Sequence, residues 1–452
     1  MELRRFLAAA RERGWLQRID ARVNPRYELA RLIHTLNEQL TFYANVEGWS
    51  SGLVAGICSR REHLALALGV PPDDLLLSLV QALRQPQPPQ IVATAPCQEC
   101  IRDPDDLPQL PILTHLPGDG GPYITSGVAI IRDPVLGRNA AYHRLMQVGA
   151  CAGHSLVFTA RLVEGRGTHT AWSRAPGPLP MAVCIGAPLS VQLAAAMSPP
   201  PGVDELAIAN ALVPTPLVRA VGLDLHVPAE SEIVLEGYLT KDLGAEGPFL
   251  DLTRTRDFVR QQPFFVVDRI THRHDPIYQA LLPGEREHRL LMGMPREPTI
   301  YAAVNNVCTC RNVHITPGGG CWLHAVVQIE KRTPLDGQAA IQAAFQGHAS
   351  LKHVVVVDHD VDLYNAQAVE WAIATRFQAD RDLVVLHDQP SSSLDPSALH
   401  LPGQKARTAK LGLDATIHWD SPTGPAHPSD WQALEYEPLD PALYFQCTGE
   451  SS

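Results

Sequence analysis

Apolar residues recur at helical spacing in the first stretch of the chain. Leu3, Phe6, Leu7 and Ala10 fall on one face, which predicts a helix over 3–13 that Gly14 can end. A second helix is predicted over 28–40, after the breaking pair Asn24-Pro25. The apolar run LVAGIC at 53–58 predicts a strand. The segment RQPQPPQ at 84–90 holds neither regular helix nor strand and suits a linker. The stretch 96–122 is again rich in Pro, Gly and Asp, which puts a domain boundary near residue 105.

From 121 to 300 the texture is mostly β. The runs ITSGVAII, LVFTARLV, MAVCIG, IVLEGYL and FFVVDRI are punctuated by Gly, Pro and Asp, as in a barrel or sandwich, with SVQLAAAM as a short helix. Past 300 the strands HAVVQIEK, HVVVVDHDVD and DLVVLHD alternate with helices such as NAQAVEWAIATRF, which implies an α/β layer domain. The expected architecture has three parts: residues 1–105, 106–300 and 301–452. The tail past 418 is Pro-rich, and its Trp431, Tyr436 and Tyr444 suit a clip onto another subunit.

Charge narrows the partners. A formal net charge of −11 disfavours nucleic acid and anionic membranes, which need a positive surface. No apolar run is long enough to cross a membrane as a helix. The start, MELRRFLAAARERGWLQ, lacks a signal peptide's apolar core, so a cytoplasmic protein is expected. Nine cysteines are an odd count, which suits buried thiols in a reducing compartment. Cys97 and Cys100 have zinc-ligand spacing, but the next pair, Cys308 and Cys310, is remote and wrongly spaced. Phosphate loops, G-x-G-x-x-G after a strand, HExxH and GxSxG are all absent. The run TPGGGC at 316–321 is expected to be a tight turn.

Three other segments carry candidate chemistry. EGPFLD at 246–251 places Glu246 and Asp251 on either side of Gly-Pro. Asn139 to Arg144 reads NAAYHR, and Asp204 to Asn210 reads DELAIAN. Lys410 lies in KLGLDAT. If Arg144 met both acids, one arm of its fork would hold Glu246 and another a substrate carboxylate. Asp251, further from the cation, would carry a proton. That trio suits decarboxylation but lacks an electron sink, which a cofactor must supply. An Arg with two acids is also the ordinary form of a structural ion-pair network.

These segments, with ESEIVLEGYL and VVVVDHDVDLYNAQAVEWAIATRF, occur in an order that resembles the UbiD-like decarboxylases. The resemblance runs from LRRFL to about residue 420. NAAYHR matches the family's Asn-x-x-x-x-Arg, and EGPFLD its E-G-P-[FY]-x-[DE]. It implies an α+β multidomain fold: an N-terminal α/β domain, a central split β-barrel of flavin-reductase type, and a C-terminal α/β oligomerisation domain. It implies prenylated FMN as cofactor, with an α,β-unsaturated or aromatic acid as substrate. Addition to the cofactor is followed by CO2 loss and protonation by Asp251, reversibly and without net oxidation. Arg144 and Glu246 would orient the substrate carboxylate.

The same resemblance assigns Asn139 and Glu205 to a divalent metal, manganese with potassium beside it, that holds the cofactor phosphate. Lys410 would reach that phosphate, and Met197 and Ser198 would pass the flavin. A flavin prenyltransferase would supply the cofactor, and a homo-oligomer, dimer or hexamer, is implied. The sequence also departs from the family. Gly165, in LVEGRGTHTAW, stands where the third metal ligand, a His, is expected, with His154 or His169 as substitutes. His143 precedes Arg144 where relatives carry Tyr. Arg254 and Arg256 follow the second acid, either as solvated loop residues or as selectors of a second acidic group. These departures favour a specialised biosynthetic or degradative substrate. The alternatives are an FMN-dependent oxidoreductase and a non-catalytic flavin-binding relative.

Overall fold

A computed structural model describes residues 1–106, 110–149, 155–401, 404–418, 433, 434 and 436–440. His154, Trp431 and Tyr444 lie outside these residues; Tyr436 is fully exposed.

The N-terminal helix forms where its apolar stripe predicts, over Leu3–Glu12, with Leu3, Phe6, Leu7 and Ala10 buried. The second helix is shorter than expected and spans Glu28–Thr35. Asn37 and Glu38 turn to positive φ, and the Glu38 carboxylate accepts the N–H groups of Arg286 and Glu287. Capping a distant helix, Arg286–Gly293, thus outweighs continuation of the local one. The strand predicted at 53–58 stops at Ala55. Beyond it, the N–H groups of Gly56 and Cys58 bond to Glu287 rather than to a neighbouring strand.

Around these elements the described residues form layers of helix and sheet, a multidomain α/β architecture. A four-stranded sheet joins Gln17–Ile19, Thr41–Tyr43 and Leu53–Ala55 to Tyr278–Gln279. The chain therefore returns to its N-terminal sheet after building the centre. A nine-stranded, largely antiparallel sheet is organised about two long strands, Ile233–Glu246 and Arg260–His272. Its inward faces contribute Ile131, Phe158, Val183, Leu235 and Phe265 to one continuous apolar core.

The C-terminal sheet runs Thr309–Ile315, His324–Glu330, His353–Asp358, Arg407–Ala415, Leu383–Pro390. His324–Glu330, His353–Asp358 and Arg407–Ala415 are parallel, with the helices Asp336–Gly347 and Ala366–Arg376 in the intervening connections. Their valine runs are buried on both faces, as a covered parallel sheet requires. The turn predicted at 316–321 is present, with the Thr316 hydroxyl accepting from Gly319 N–H. No single helix among the described residues is long and apolar enough to cross a membrane.

Candidate active site

Arg144 sits at the corner between two strands of the central sheet, Gly137–Tyr142 and Leu145–Gln147. Glu246 is the last residue of Ile233–Glu246. Gly247 follows with φ +99°, a conformation that side chains disfavour, and turns the chain off the sheet. A small hairpin then pairs Phe249–Leu250 with Arg256–Asp257, with Phe249 opposite Asp257. The bend thus places three acids within reach of one guanidinium.

Arg144 Nε and Nη2 donate to the two oxygens of Glu246 at 2.8 and 3.0 Å. Nη1 donates to Asp251 Oδ2 at 2.6 Å, and Nη2 also donates to Asp257 Oδ2 at 2.8 Å. The guanidinium lies 4.5 Å from the centre of the Phe249 ring. Asp251 is thus no further from the cation than Glu246, contrary to expectation, because the hairpin folds it back on the same fork.

Asp257 and Tyr123 are functional candidates that the sequence did not flag. Burial opposes ionisation of Asp257, yet the charges of Arg144 and Arg260 hold its carboxyl below the usual range. Tyr123 donates to Glu246 Oε1 at 3.2 Å. The signal for Asp257 was its place in TRDF, across a hairpin from Phe249. Tyr123 is more than a hundred residues from its partner and left no local mark.

Two histidines face the same loop. His115 is 2 % exposed, meets Phe249 edge-on at 6.4 Å, and neither ring nitrogen has a partner among the described residues. Burial, reinforced by nearby His288, pushes it down to about 3, so it stays neutral. His288 accepts from Gly284 N–H at 2.9 Å; burial lowers it, while Asp251 pulls the other way.

Asn139 and Glu205 do come together. Asn139 Nδ2 donates to Glu205 Oε1 at 2.9 Å, and Ala140 N–H donates to Oε2 at 2.9 Å. Burial pushes Glu205 up to about 7. Thr168 donates to Asn139 Oδ1 at 3.1 Å, and its hydroxyl also meets His143 Nε2 at 2.8 Å. His143 therefore lies behind Thr168, and burial keeps it neutral with a value of about 4. The position facing Asn139 is 167, not 165: a Cβ on Gly167 would lie 3.0 Å from the Asn139 side chain, whereas Gly165 has open space around it. His169 is engaged with Gly165 N–H and Trp172 instead. Asn139 and Glu205 offer a divalent cation two oxygen donors, and no group of three His, Cys, Asp or Glu stands ready among the described residues.

Lys410 is buried, donates to Ala349 O at 2.7 Å, and is pushed down to about 8 by burial. Met197 is buried at the end of Leu189–Ala196, and the Ser198 hydroxyl accepts from Arg166 at 3.3 Å. Arg254 is half-exposed and paired with Glu285, and Arg256 lies against Gly118. Neither contacts the Arg144 fork among the described residues.

Family models for 3-octaprenyl-4-hydroxybenzoate carboxy-lyase match along the chain: the N-terminal domain at 7–83, the Rift-related domain at 90–286 and the C-terminal domain at 289–415. The anhydromevalonate phosphate decarboxylase of Methanosarcina mazei is 40% identical over 92% of this chain and 96% of its own. The UbiD-class enzyme HmfF from Pelotomaculum thermopropionicum, solved with FMN, aligns at 36% identity over 98% of each chain with a TM-score of 0.88. The apo 3,4-dihydroxybenzoic acid decarboxylase AroY of Klebsiella pneumoniae aligns at 26% identity over 98% of each chain, with a TM-score of 0.86.

Proposed function

The chain belongs to the UbiD family of carboxy-lyases, and from that premise we propose how this member works. It is a decarboxylase that depends on prenylated FMN, the cofactor of an evolved HmfF solved at 34% identity. When bound, the prenylated flavin supplies the electron sink for the pair left behind as CO2 departs. The central sheet serves as the split barrel that carries it. Domains 1–105, 106–300 and 301–452 remain our division of the chain.

The observation that carries the catalytic assignment is the unequal hold of Arg144 on its acids. Glu246 makes two bonds and its side chain is fully buried; Asp257 is 5% exposed and also held by Arg260. Asp251 makes one bond to the fork and is 17% exposed. An incoming substrate carboxylate therefore displaces Asp251 from Nη1 and takes its place beside Glu246. Once released from the cation, Asp251 is the acid placed to deliver a proton to the carbon that CO2 has left. Glu246 and Asp257 keep the guanidinium oriented throughout.

The substrate is an α,β-unsaturated or aromatic acid, since electrons must pass into an adjoining π-system. Asn139 and Glu205 would hold a divalent metal, Mn2+ with K+ as companion ion, that binds the cofactor phosphate. Position 167 brings no side chain toward Asn139, so a third protein ligand would have to come from elsewhere. Lys410, Met197 and Ser198 line the flavin. The protein works as a homo-oligomer and takes its cofactor from a flavin prenyltransferase.

The test is co-production with a flavin prenyltransferase, then native mass spectrometry, an absorption spectrum and metal analysis. Prenylated FMN bound, with CO2 released from a panel of unsaturated and aromatic acids, is expected. Unmodified FMN with NAD(P)H turnover and no CO2 would overturn the assignment.

A further inference from the structure

We propose that His143, acting through Thr168, is a positioning residue that turns the Asn139 side-chain oxygen toward Glu205, so that two oxygens face one divalent cation. That a cation binds there rests on the reading above. The direction in which Asn139 points rests on hydrogen bonding alone.

Three side chains make a line of contacts behind the two candidate ligands. His143 is 7% exposed, and its Nδ1 lies 2.9 Å from the Arg161 carbonyl oxygen. Its Nε2 lies 2.8 Å from the Thr168 hydroxyl, which in turn lies 3.1 Å from one end of the Asn139 amide. The other end of that amide meets a Glu205 oxygen at 2.9 Å. The line is held at both sides. Arg161 N–H returns to the Arg144 carbonyl at 3.1 Å, which ties the anchor of His143 to the Arg144 corner. Thr168 is buried in the first turn of the helix Gly167–Arg174. Gly167 lets that turn lie against Asn139, where a Cβ would stand 3.0 Å from the amide.

The protons available decide which way Asn139 points. No acid bonds to His143 among the described residues, and a buried imidazole without one is neutral, with a single N–H. A carbonyl oxygen only accepts, so that proton is on Nδ1 and Nε2 is an acceptor. The Thr168 hydroxyl must therefore donate to His143. With Asn139 Nδ2 on Glu205, Thr168 is asked to donate to Asn139 Oδ1 as well, and a hydroxyl has one proton. A half-turn of the amide removes the conflict. Its two ends have the same shape, so no other atom need move. Asn139 Nδ2 then donates to the Thr168 oxygen, and Oδ1 stands beside the Glu205 carboxylate. Two oxygens so close repel each other until a positive charge joins them, which makes the pair a seat for a hard divalent cation.

The experiment reads Mn2+ affinity. Manganese is titrated into wild type, Thr168→Val, Thr168→Ser and His143→Phe with FMN in excess, and free Mn2+ is measured by electron paramagnetic resonance. Thr168→Val keeps the side chain's shape without the hydroxyl and should weaken binding about tenfold. Thr168→Ser restores the hydroxyl and should stay within about twofold of wild type. His143→Phe should also weaken binding, and Thr168→Val covers a folding failure of that variant. Asn139→Asp separates positioning from packing, because a carboxylate presents an oxygen whichever way it turns. In that background Thr168→Val should cost less than about twofold. Unchanged affinity in Thr168→Val, or an equal loss in both backgrounds, would overturn the proposal and leave the metal site in place. Wild type that binds no Mn2+ would overturn both. Mn2+ bound without CO2 release would sink the decarboxylase reading alone.

Discussion

At the scale of single residues, Arg144 decides the site because its planar fork spends four hydrogen bonds on three acids. Of the three carboxylates facing this cation, Asp251 is the most exposed, and it is the one that the proposed exchange with substrate would displace. Replacing Asp251 with Asn keeps the contact shape and removes the proton. Turnover should fall by at least about 10²-fold while bound flavin, measured by its absorbance, stays unchanged. If Asp251→Asn kept full activity, another group would be the proton donor. Tyr123→Phe removes one hydrogen bond from Glu246 and should lower kcat/KM only about fivefold. Steady-state kinetics on the same acid check both. Glu246, Arg144 and Asp251 were legible because their motifs are local and their chemistry follows from charge. Tyr123 and His115 were not, because a buried tyrosine or histidine reads as core until its neighbours are known.

At the scale of elements, the joint between Glu38, Glu287 and the turn after Leu53–Ala55 shows local preference yielding to a distant partner. Among the described residues both carboxylates accept only backbone N–H groups, and burial raises Glu38 to about 7 and Glu287 to about 8. A group raised in the folded state contributes stability that is complete below its unfolded value and lost as pH rises through the folded one. Here that window runs from the ordinary glutamate range up to about 8. Buried His115 and His143, lowered on folding, act in the opposite sense, so the useful quantity is a difference. Glu287→Gln should lie furthest below wild type near pH 5. By pH 8.5 the gap should shrink by about 3–5 °C in a thermal melt. A constant gap would show that Glu287 is ionised throughout. The helical pattern at 28–40 could not reveal this joint, because the groups that Glu38 caps lie some 250 residues away.

At the scale of the whole molecule, one buried ion pair ties the N-terminal helices to the C-terminal layer. Arg61, at the start of Arg61–Leu68, grips Glu297 at 3.0 and 2.7 Å, and Glu297 also accepts Ile315 N–H at 3.1 Å. Arg61→Ala strands a buried carboxylate and should destabilise by about 3–5 kcal/mol, read from denaturant unfolding. An unchanged midpoint would mean that the layers are held by apolar contact alone, through Leu76 and Val80 against Ile300 and Val304. Cofactor supply belongs to this scale as well. Protein made without a prenyltransferase should fold with a normal Tm yet release no CO2, and mixing with prenylated FMN should restore it.

The sequence by itself determined the elements whose patterns are local: the first helix, the long central strands and the α/β alternation past 300. It also determined the acids on either side of Gly247-Pro248, because charge and backbone freedom are properties of residue type. Only the tertiary structure decided that Asp251 shares the fork with Glu246 and Asp257. Only it placed Gly167, rather than Gly165, against Asn139, and His143 behind Thr168. Those facts depend on distance and burial between residues far apart in the chain, and a one-dimensional pattern carries neither.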